Sequence, residues 1–237
     1  MNKVLRYPED KAVIAQILAR VESTAVLNPR LTHADIKKAC DDAVKYGYGF
    51  VVPFRQYLPE VIQNLQGSDV KIVEGFSDMP LQAERLFMYE SGLQMGCCEL
   101  DMVGRISLYF NKQYDLFQKE VSEVAELGRK YNAPIKVIIE TGFLTDEQKV
   151  HIAGLALDAG ATFIKLCVGM GPRRGRGTVH DVLLLKDAYG DRIKIKASGA
   201  LASLEDAYAM MRAGADRMAV RSVLANQLEQ IGYIRGD

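Results

Sequence analysis

The stretch LALDAGATFIKLCV, residues 155–168, holds the pattern that decides the fold. A helix-like segment ends at Ala159-Gly160, and a short apolar run follows a few residues later. Glycine suits the end of a helix because it adopts a positive φ without strain. An apolar run of this kind is typical of a strand that is buried on both faces. The stretch therefore predicts one helix–strand unit of a parallel α/β protein.

The same unit recurs with variations along the chain. Together with shorter apolar runs, its copies predict strands near residues 21–26, 49–53, 70–75, 99–103, 135–141, 162–168, 192–198 and 217–221. Eight strands that alternate with amphipathic helices, at a spacing of roughly 25–35 residues, favour a closed (β/α)8 TIM barrel. The competing open, doubly wound sheet usually carries a glycine-rich fingerprint, G-x-G-x-x-G, after its first strand. No such motif occurs there.

Length and composition are those of a globular α/β barrel. The chain has 237 residues, of which 49% are hydrophobic and 25% are charged. Barrels of this type commonly reach this length as one domain, so residues 1–237 are expected to form a single domain. Residues around 8–20 are predicted to add an extra N-terminal helix.

Charge and cysteine usage argue against several classes of protein. The 30 basic and 30 acidic residues cancel, so no overall field favours nucleic acid or a membrane as a partner. The N-terminal segment lacks the apolar run of a signal peptide. The four cysteines show no C-x-x-C spacing, which favours reduced thiols in a cytoplasmic protein. The three histidines lie far apart, and neither a metal nor another cofactor is expected.

Several predicted strands carry ionisable residues where a core should lie. Because strand side chains alternate between two faces, the apolar set is expected to pack on the helices. The side chains of Lys136, Lys165, Lys196 and Asp101 then point into the barrel. Lysine is rarely buried without a partner. A structural ion network, or lysines that leave the barrel ends for water, would explain any one of them; the four together favour catalysis.

The chemistry that such a cluster supports is Schiff-base formation. A lysine attacks a carbonyl only as the neutral amine, and a second ammonium with partial desolvation lowers its pKa. Lys165 beside Lys196 on the adjacent strand provides this arrangement. The resulting iminium accepts electrons from the neighbouring C–C bond, and a carboxylate such as Asp101 can move the proton.

At these residues the sequence resembles the deoxyribose-phosphate aldolase family. The motifs are ELDMV (99–103), KVIIETGFLTDEQK (136–149), AGATFIKL (159–166), TVHDVLLLK (178–186) and IKASGALASLEDAYAMMRAGADR (195–217). The resemblance implies that Lys165 forms the Schiff base, that Lys196 tunes it, and that Asp101 is an acid/base acting through water. Lys136 matches a lysine of the same interior cluster. The family reaction is the reversible, metal-free cleavage of 2-deoxyribose 5-phosphate to glyceraldehyde 3-phosphate and acetaldehyde.

The phosphate of such a substrate is expected beyond the last three strands. The loops after strands seven and eight of a barrel often bind phosphate, and glycine lets backbone N–H groups approach the anion. Arginine adds bidentate contacts. The predicted substrate- and phosphate-binding residues are Gly169, Arg173, Ser198, Gly199, Arg221 and Ser222, with Arg174 and Arg176 in the same basic loop. A solvated basic loop or a contact between subunits would explain those arginines equally well.

Departures from the family pattern leave the substrate open. The Schiff-base lysine is followed by L-C-V-G where relatives commonly read T-S-T-G, and the last strand reads A-V-R-S. The alternatives are a related Schiff-base aldolase acting on another phosphorylated sugar, and a non-catalytic barrel that binds a sugar phosphate. A homo-oligomer is expected in either case.

Overall fold

Eight parallel strands close into a barrel within the residues that the computed structural model describes, 10–75, 81–168 and 176–236. Each strand pairs with the next, and the last pairs with the first. The strands are β1 (Val21–Ser23), β2 (Phe50–Val51), β3 (Lys71–Glu74), β4 (Glu99–Val103), β5 (Ile135–Ile138), β6 (Phe163–Lys165), β7 (Lys194–Leu201) and β8 (Arg217–Val220). The prediction of a (β/α)8 barrel is confirmed.

Helices alternate with the strands along the chain. They are α1 (Lys11–Leu18), α2 (His33–Tyr46), α3 (Leu58–Asn64), α4 (Gln82–Met95), α5 (Ile106–Phe110), α6 (Tyr114–Lys130), α7 (Asp146–Asp158), α8 (Val179–Tyr189), α9 (Leu204–Arg212) and α10 (Val223–Gln230). Short 3₁₀ turns occupy Arg55–Tyr57, Thr141–Phe143 and Gly190–Arg192. Helix α1, which precedes β1, is the predicted extra N-terminal helix.

Local sequence signals set the helix ends. Thr145 caps α7 through its hydroxyl, which accepts from the backbone N–H of Gln148. The same helix ends at Asp158, and Gly160 follows with a φ of +100°. The chain can then reverse into β6 within a few residues, because glycine has no Cβ to resist this conformation.

Strand lengths differ from the predicted spans in several places: β1, β5 and β6 each end three residues earlier than predicted. Strand β2 is short because Pro53 follows it and has no N–H to donate to a neighbouring strand. Strand β7 runs on to Leu201, with an irregular register against β8 between Ala197 and Leu201. None of the helices in the described ranges combines the length and hydropathy needed to cross a bilayer.

The barrel interior is divided into an apolar and a charged part. The main apolar core lies between the barrel and the helices, where alternate strand residues such as Ile164 and Ile195 are fully buried. Inside the barrel, Phe50, Val52 and Val73 form a small separate cluster on the side of β2 and β3. Ionisable side chains from the other six strands occupy the rest of the interior, and they form the candidate site.

Candidate active site

Two of the predicted interior lysines meet at one carboxylate. Lys165 ends β6 and is the direct register partner of Lys196 in β7. The Nζ atom of Lys165 lies 2.7 Å from Oδ2 of Asp101, and the Nζ atom of Lys196 lies 2.5 Å from the same oxygen. The structure therefore brings the predicted nucleophile, its neighbouring lysine and the predicted acid/base into direct contact.

The third predicted lysine lies deeper in the same cluster. Lys136 of β5 is completely buried, and its Nζ atom lies 2.6 Å from Glu99 Oε2, 3.2 Å from Asp101 Oδ1 and 3.4 Å from Glu22 Oε1. A buried ammonium is stable only when carboxylates compensate it. Lys136 therefore holds the carboxylates in place, whereas Lys165 lies nearer to the surface.

Three members of the network were not among the predicted site residues. Glu22 of β1 contacts Lys196, Glu99 of β4 contacts Lys136, and Arg217 of β8 reaches Glu99 at 3.4 Å. The period of two along β4 places Glu99 on the face of Asp101, so that signal was available. A second signal was that three lysines but only one aspartate were predicted to lie inside the barrel. Buried lysines need carboxylate partners, so further interior carboxylates were to be expected.

The network contains one more basic group than carboxylates. Among the described residues, three carboxylates (Glu22, Glu99, Asp101) face four basic groups (Lys136, Lys165, Lys196, Arg217). Release of one proton from this set would balance its charge.

Burial and neighbouring charge make Lys196 easier to deprotonate than an ordinary lysine. Its side chain is fully buried, and burial together with the charges of Lys165 and Lys136 lowers its pKa to about 8, although Asp101 and Glu22 oppose the shift. Lys196 can therefore exchange a proton near pH 8.

Two other buried groups of the network, Asp101 and Lys136, keep their charge. Burial alone would raise the pKa of Asp101, but the ammonium groups of Lys165, Lys196 and Lys136 outweigh burial and hold the pKa well below its usual value. Burial alone would lower the pKa of Lys136, and Glu22, Asp101 and Glu99 raise it above the usual lysine value instead. Asp101 is therefore an anion at neutral pH and Lys136 a cation.

Access to the cluster is through Lys165. Its side chain is 6% exposed, whereas those of Lys136 and Lys196 are completely buried. Lys165 also lies at the C-terminal end of its strand, which is the end at which TIM-barrel enzymes bind their substrates. Among the three lysines, the geometry therefore makes Lys165 the one that an incoming carbonyl can reach.

A glycine makes room for the shared carboxylate. Gly75 follows β3 with a φ of +149°, and a Cβ built there would lie 2.5 Å from both the Cβ and the carbonyl oxygen of Asp101. A larger residue would strain the backbone and push Asp101 away from the lysines. Sequence reasoning did not single out Gly75, since Asp101, its neighbour on the adjacent strand, is 26 residues away in the chain.

Where the structure describes them, the predicted phosphate-binding residues lie in the C-terminal half of β7 and directly after β8. Ser198 is buried, and its hydroxyl donates to the carbonyl of Cys167 at 2.6 Å and accepts from the Cys167 N–H at 3.1 Å. Gly199 has a φ of +106°, and a Cβ there would lie 2.6 Å from the Gly177 nitrogen. Arg221 and Ser222 are exposed. Gly169, Arg173 and Arg174 lie outside the described residues.

Curated relatives of high similarity cover most of the chain. The deoxyribose-phosphate aldolase of Caldicellulosiruptor saccharolyticus is 36% identical over 215 residues, which are 88% of this chain and 96% of that protein. The deoxyribose-phosphate aldolase of Thermococcus kodakarensis is 37% identical over 213 residues, 86% of this chain and 93% of that protein. The chain belongs to the deoxyribose-phosphate aldolase family.

A solved structure of this aldolase family has the same fold. The tetrameric deoxyribose-phosphate aldolase of Aeropyrum pernix superposes with a TM-score of 0.77 at 26% identity, over 91% of this chain and 90% of that one. No protein-family model matches the chain. The resemblance inferred from the motifs is confirmed, and the family consists of carbon–carbon lyases.

The residues that differ from the usual aldolase motif line the site or lie just behind it. Leu166, which follows the predicted Schiff-base lysine, is fully buried in the core between strands and helices. Cys167 is buried as well, and its Sγ atom lies 3.5 Å from the carbonyl oxygen of Ser198. The backbone N–H of Val168 donates to the carboxylate of Glu140, a buried residue with a φ of +50°. These contacts join the ends of β5, β6 and β7 next to Lys165.

Proposed function

We propose that the protein is a Schiff-base aldolase that reversibly cleaves 2-deoxyribose 5-phosphate to glyceraldehyde 3-phosphate and acetaldehyde. The observation that carries the proposal is the convergence of Lys165 and Lys196 on Oδ2 of Asp101, at 2.7 Å and 2.5 Å. A second ammonium beside a nucleophilic lysine favours the neutral amine that Schiff-base formation needs.

The reaction begins at Lys165. Its neutral amine adds to the aldehyde carbon of the open-chain sugar, and the carbonyl oxygen leaves as water after two protonations. The product is an iminium between Nζ of Lys165 and C1. The buried ammonium of Lys196 is close enough to Asp101 to exchange protons with it during these steps.

Cleavage is then a retro-aldol step in which the iminium nitrogen accepts an electron pair. A base removes the proton of the C3 hydroxyl, the C2–C3 bond breaks, and its electrons form the enamine as glyceraldehyde 3-phosphate departs. Protonation of the enamine at C2 and hydrolysis of the iminium release acetaldehyde and restore the amine. Asp101 contacts the Lys165 amine directly, so it lies beside the reacting carbon. It is proposed to act as the acid/base, with a water carrying protons between its carboxylate and the substrate.

The phosphate of the substrate is proposed to lie beyond β7 and β8. The positive φ of Gly199 and its proximity to the Gly177 nitrogen support this position, because backbone N–H groups can approach an anion there. Arg221 and Ser222 are exposed at the neighbouring strand end and are proposed to bind the phosphate. Gly169 and Arg173 are proposed contacts in the segment outside the described residues.

Domain organisation, assembly and location belong to the same proposal. The continuous barrel from β1 to β8 supports a single domain over residues 1–237. The tetrameric relative from Aeropyrum pernix supports a homo-oligomer. The four cysteines are free thiols, which supports a cytoplasmic location.

Borohydride trapping tests the proposal. The protein is reduced in the presence of 2-deoxyribose 5-phosphate or acetaldehyde, and its peptides are mapped by mass spectrometry. A stable adduct on Lys165 is expected. The matched controls are Lys165→Leu, which should give none, and Lys194→Leu, which removes an exposed strand lysine at the other end of the barrel and should give the normal adduct.

Two outcomes would contradict parts of this proposal. An adduct at Lys165 with another phosphorylated sugar, but none with 2-deoxyribose 5-phosphate, would retain the chemistry and change the substrate. Failure to trap any carbonyl compound, with the protein folded by circular dichroism, would leave a barrel that binds sugar phosphate without catalysis.

A further inference from the structure

A cavity lies at the end of the barrel opposite to Lys165. Its volume is about 360 Å³, within the range of small-molecule sites. Gly49 precedes β2, Lys71 begins β3 and Arg217 begins β8, so the cavity opens at the N-terminal ends of the strands. Residues of α1 and of the C-terminal segment complete its wall.

Cations dominate the polar lining of this cavity. Lys71, Arg217 and Arg235 line it, and Asp69 is the carboxylate among its described lining residues. Arg235 and Asp69 form an exposed ion pair at 3.2 Å, which a stronger anion can displace at little cost. Lys71 is exposed and forms no ion pair within the described part of the chain. The cavity therefore has an excess of positive charge available to a ligand.

Arg217 separates the cavity from the charged interior. Its guanidinium lies 4.5 Å from the ring centroid of Phe50, and one of its Nη atoms reaches Glu99 inside the barrel. Its Nε atom is buried and has no hydrogen-bond partner among the described residues. Its Nη1 atom donates to the carbonyl of Asp216 at 3.2 Å, and its side chain is 24% exposed, so part of the side chain remains open to a ligand in the cavity.

Aromatic rings form the remaining wall. Tyr46, Tyr48 and Tyr233 line the cavity and are largely buried themselves, and the rings of Tyr46 and Tyr48 stack with centroids 6.2 Å apart. The small part of each ring that reaches the cavity is held fixed by its surroundings and can pack against a planar group. Tyr233 lies near the C-terminus, and its position here keeps it at the opposite end of the barrel from Lys165.

From these observations we infer that the cavity is a binding site for a phosphomonoester that carries a planar ring. Lys71 and the exposed part of the Arg217 side chain bind the dianionic phosphate. The ring packs among the tyrosines. The inference does not depend on the reaction at Lys165, because the site uses neither the catalytic lysines nor the C-terminal ends of the strands.

The test uses the absence of tryptophan from the chain. A Tyr233→Trp variant carries a single tryptophan at the cavity, so its emission reports on this end of the barrel alone. Phenyl phosphate is the probe. Inorganic phosphate, which has the charge without the ring, and benzyl alcohol, which has the ring without the charge, are the controls. We expect a saturable change with phenyl phosphate, weaker binding of inorganic phosphate and none of benzyl alcohol.

Lysine variants locate the site. Lys71→Ala in the same background should weaken phenyl phosphate binding about tenfold, as expected for loss of one charged contact. Lys194→Ala removes an exposed lysine from the same end of the barrel that does not line the cavity, and it should leave the affinity unchanged. Arg217 is left intact because it also holds Glu99.

Calorimetry on the unmodified chain and on its Lys71→Ala variant gives an independent measurement should tryptophan disturb the fold. A heat of binding that Lys71→Ala weakens would support the site. Equal weakening by Lys71→Ala and Lys194→Ala, equal affinities for phenyl phosphate and inorganic phosphate, or no saturable signal by either method would overturn the inference.

Discussion

Lys165 and Lys196 are direct register partners across β6 and β7, and their ammonium groups share one carboxylate oxygen of Asp101. Two ammonium groups this close repel each other, and the shared anion compensates them only in part. Loss of one proton from the pair relieves the repulsion. The pair therefore combines a nucleophile near the surface with a buried proton donor behind it.

Replacement of Asp101 by asparagine should lower kcat by roughly 10²–10⁴, the usual contribution of a positioned acid/base. The amide keeps the shape of the side chain and removes the anion that three lysines contact. Steady-state cleavage of 2-deoxyribose 5-phosphate measures the effect. Asp41→Asn, at an exposed position of α2, is the control and should retain full activity. Near-normal turnover in Asp101→Asn would exclude Asp101 from the proton transfers.

The pH profile should report on Lys196. Its pKa is lowered to about 8 by burial and by Lys165 and Lys136. Below this pH Lys196 is charged and can donate a proton; above it this proton donor is lost. We expect kcat/KM to fall as the pH rises through about 8. In Lys196→Gln the activity should be lower throughout and this alkaline limb should be absent. An unchanged limb in Lys196→Gln would assign it to another group.

Gly75→Ala should reduce kcat by up to about 10²-fold, since a displacement of about 1 Å in an active site can cost this much. The added methyl group would meet Asp101 at 2.5 Å. Gly67→Ala is the matched control, because Gly67 also has a positive φ, +80°, and a Cβ there would meet nothing within 4 Å. Both variants should lose stability in urea, but the loss of kcat is expected only for Gly75→Ala. Equal kinetics for the two variants would show that Asp101 tolerates the methyl group.

Glu22→Leu should lower the free energy of unfolding by about 3–5 kcal/mol, since it leaves buried cations without a partner. Glu22 is fully buried and contacts both Lys196 and Lys136. Chemical denaturation measures the change. Glu126→Leu removes an exposed carboxylate that lies 4.0 Å from Arg129, and little change is expected there. Comparable losses in the two variants would mean that the interior network contributes no more than a surface ion pair.

Much of the site was predictable because strand side chains alternate. In β6 and β7 the apolar residues Ile164 and Ile195 pack outward, so Lys165 and Lys196 had to lie inside. Glu22 was not predictable in this way. Strand β1 has only three residues, Val21–Ser23, so it is too short for an alternating pattern to repeat and define its two faces.

Helix ends, strand positions and the inward direction of the lysines follow from the sequence, because each depends on residues that are close neighbours in the chain. The partners of those lysines do not. Glu22 and Lys196 are 174 residues apart, and Asp101 and Lys165 are 64 apart. They meet only because closure of the barrel brings side chains from several strands into one interior layer. The charge balance that lowers the pKa of Lys196, and the cavity between the first strands and the C-terminal segment, therefore exist only in the folded protein.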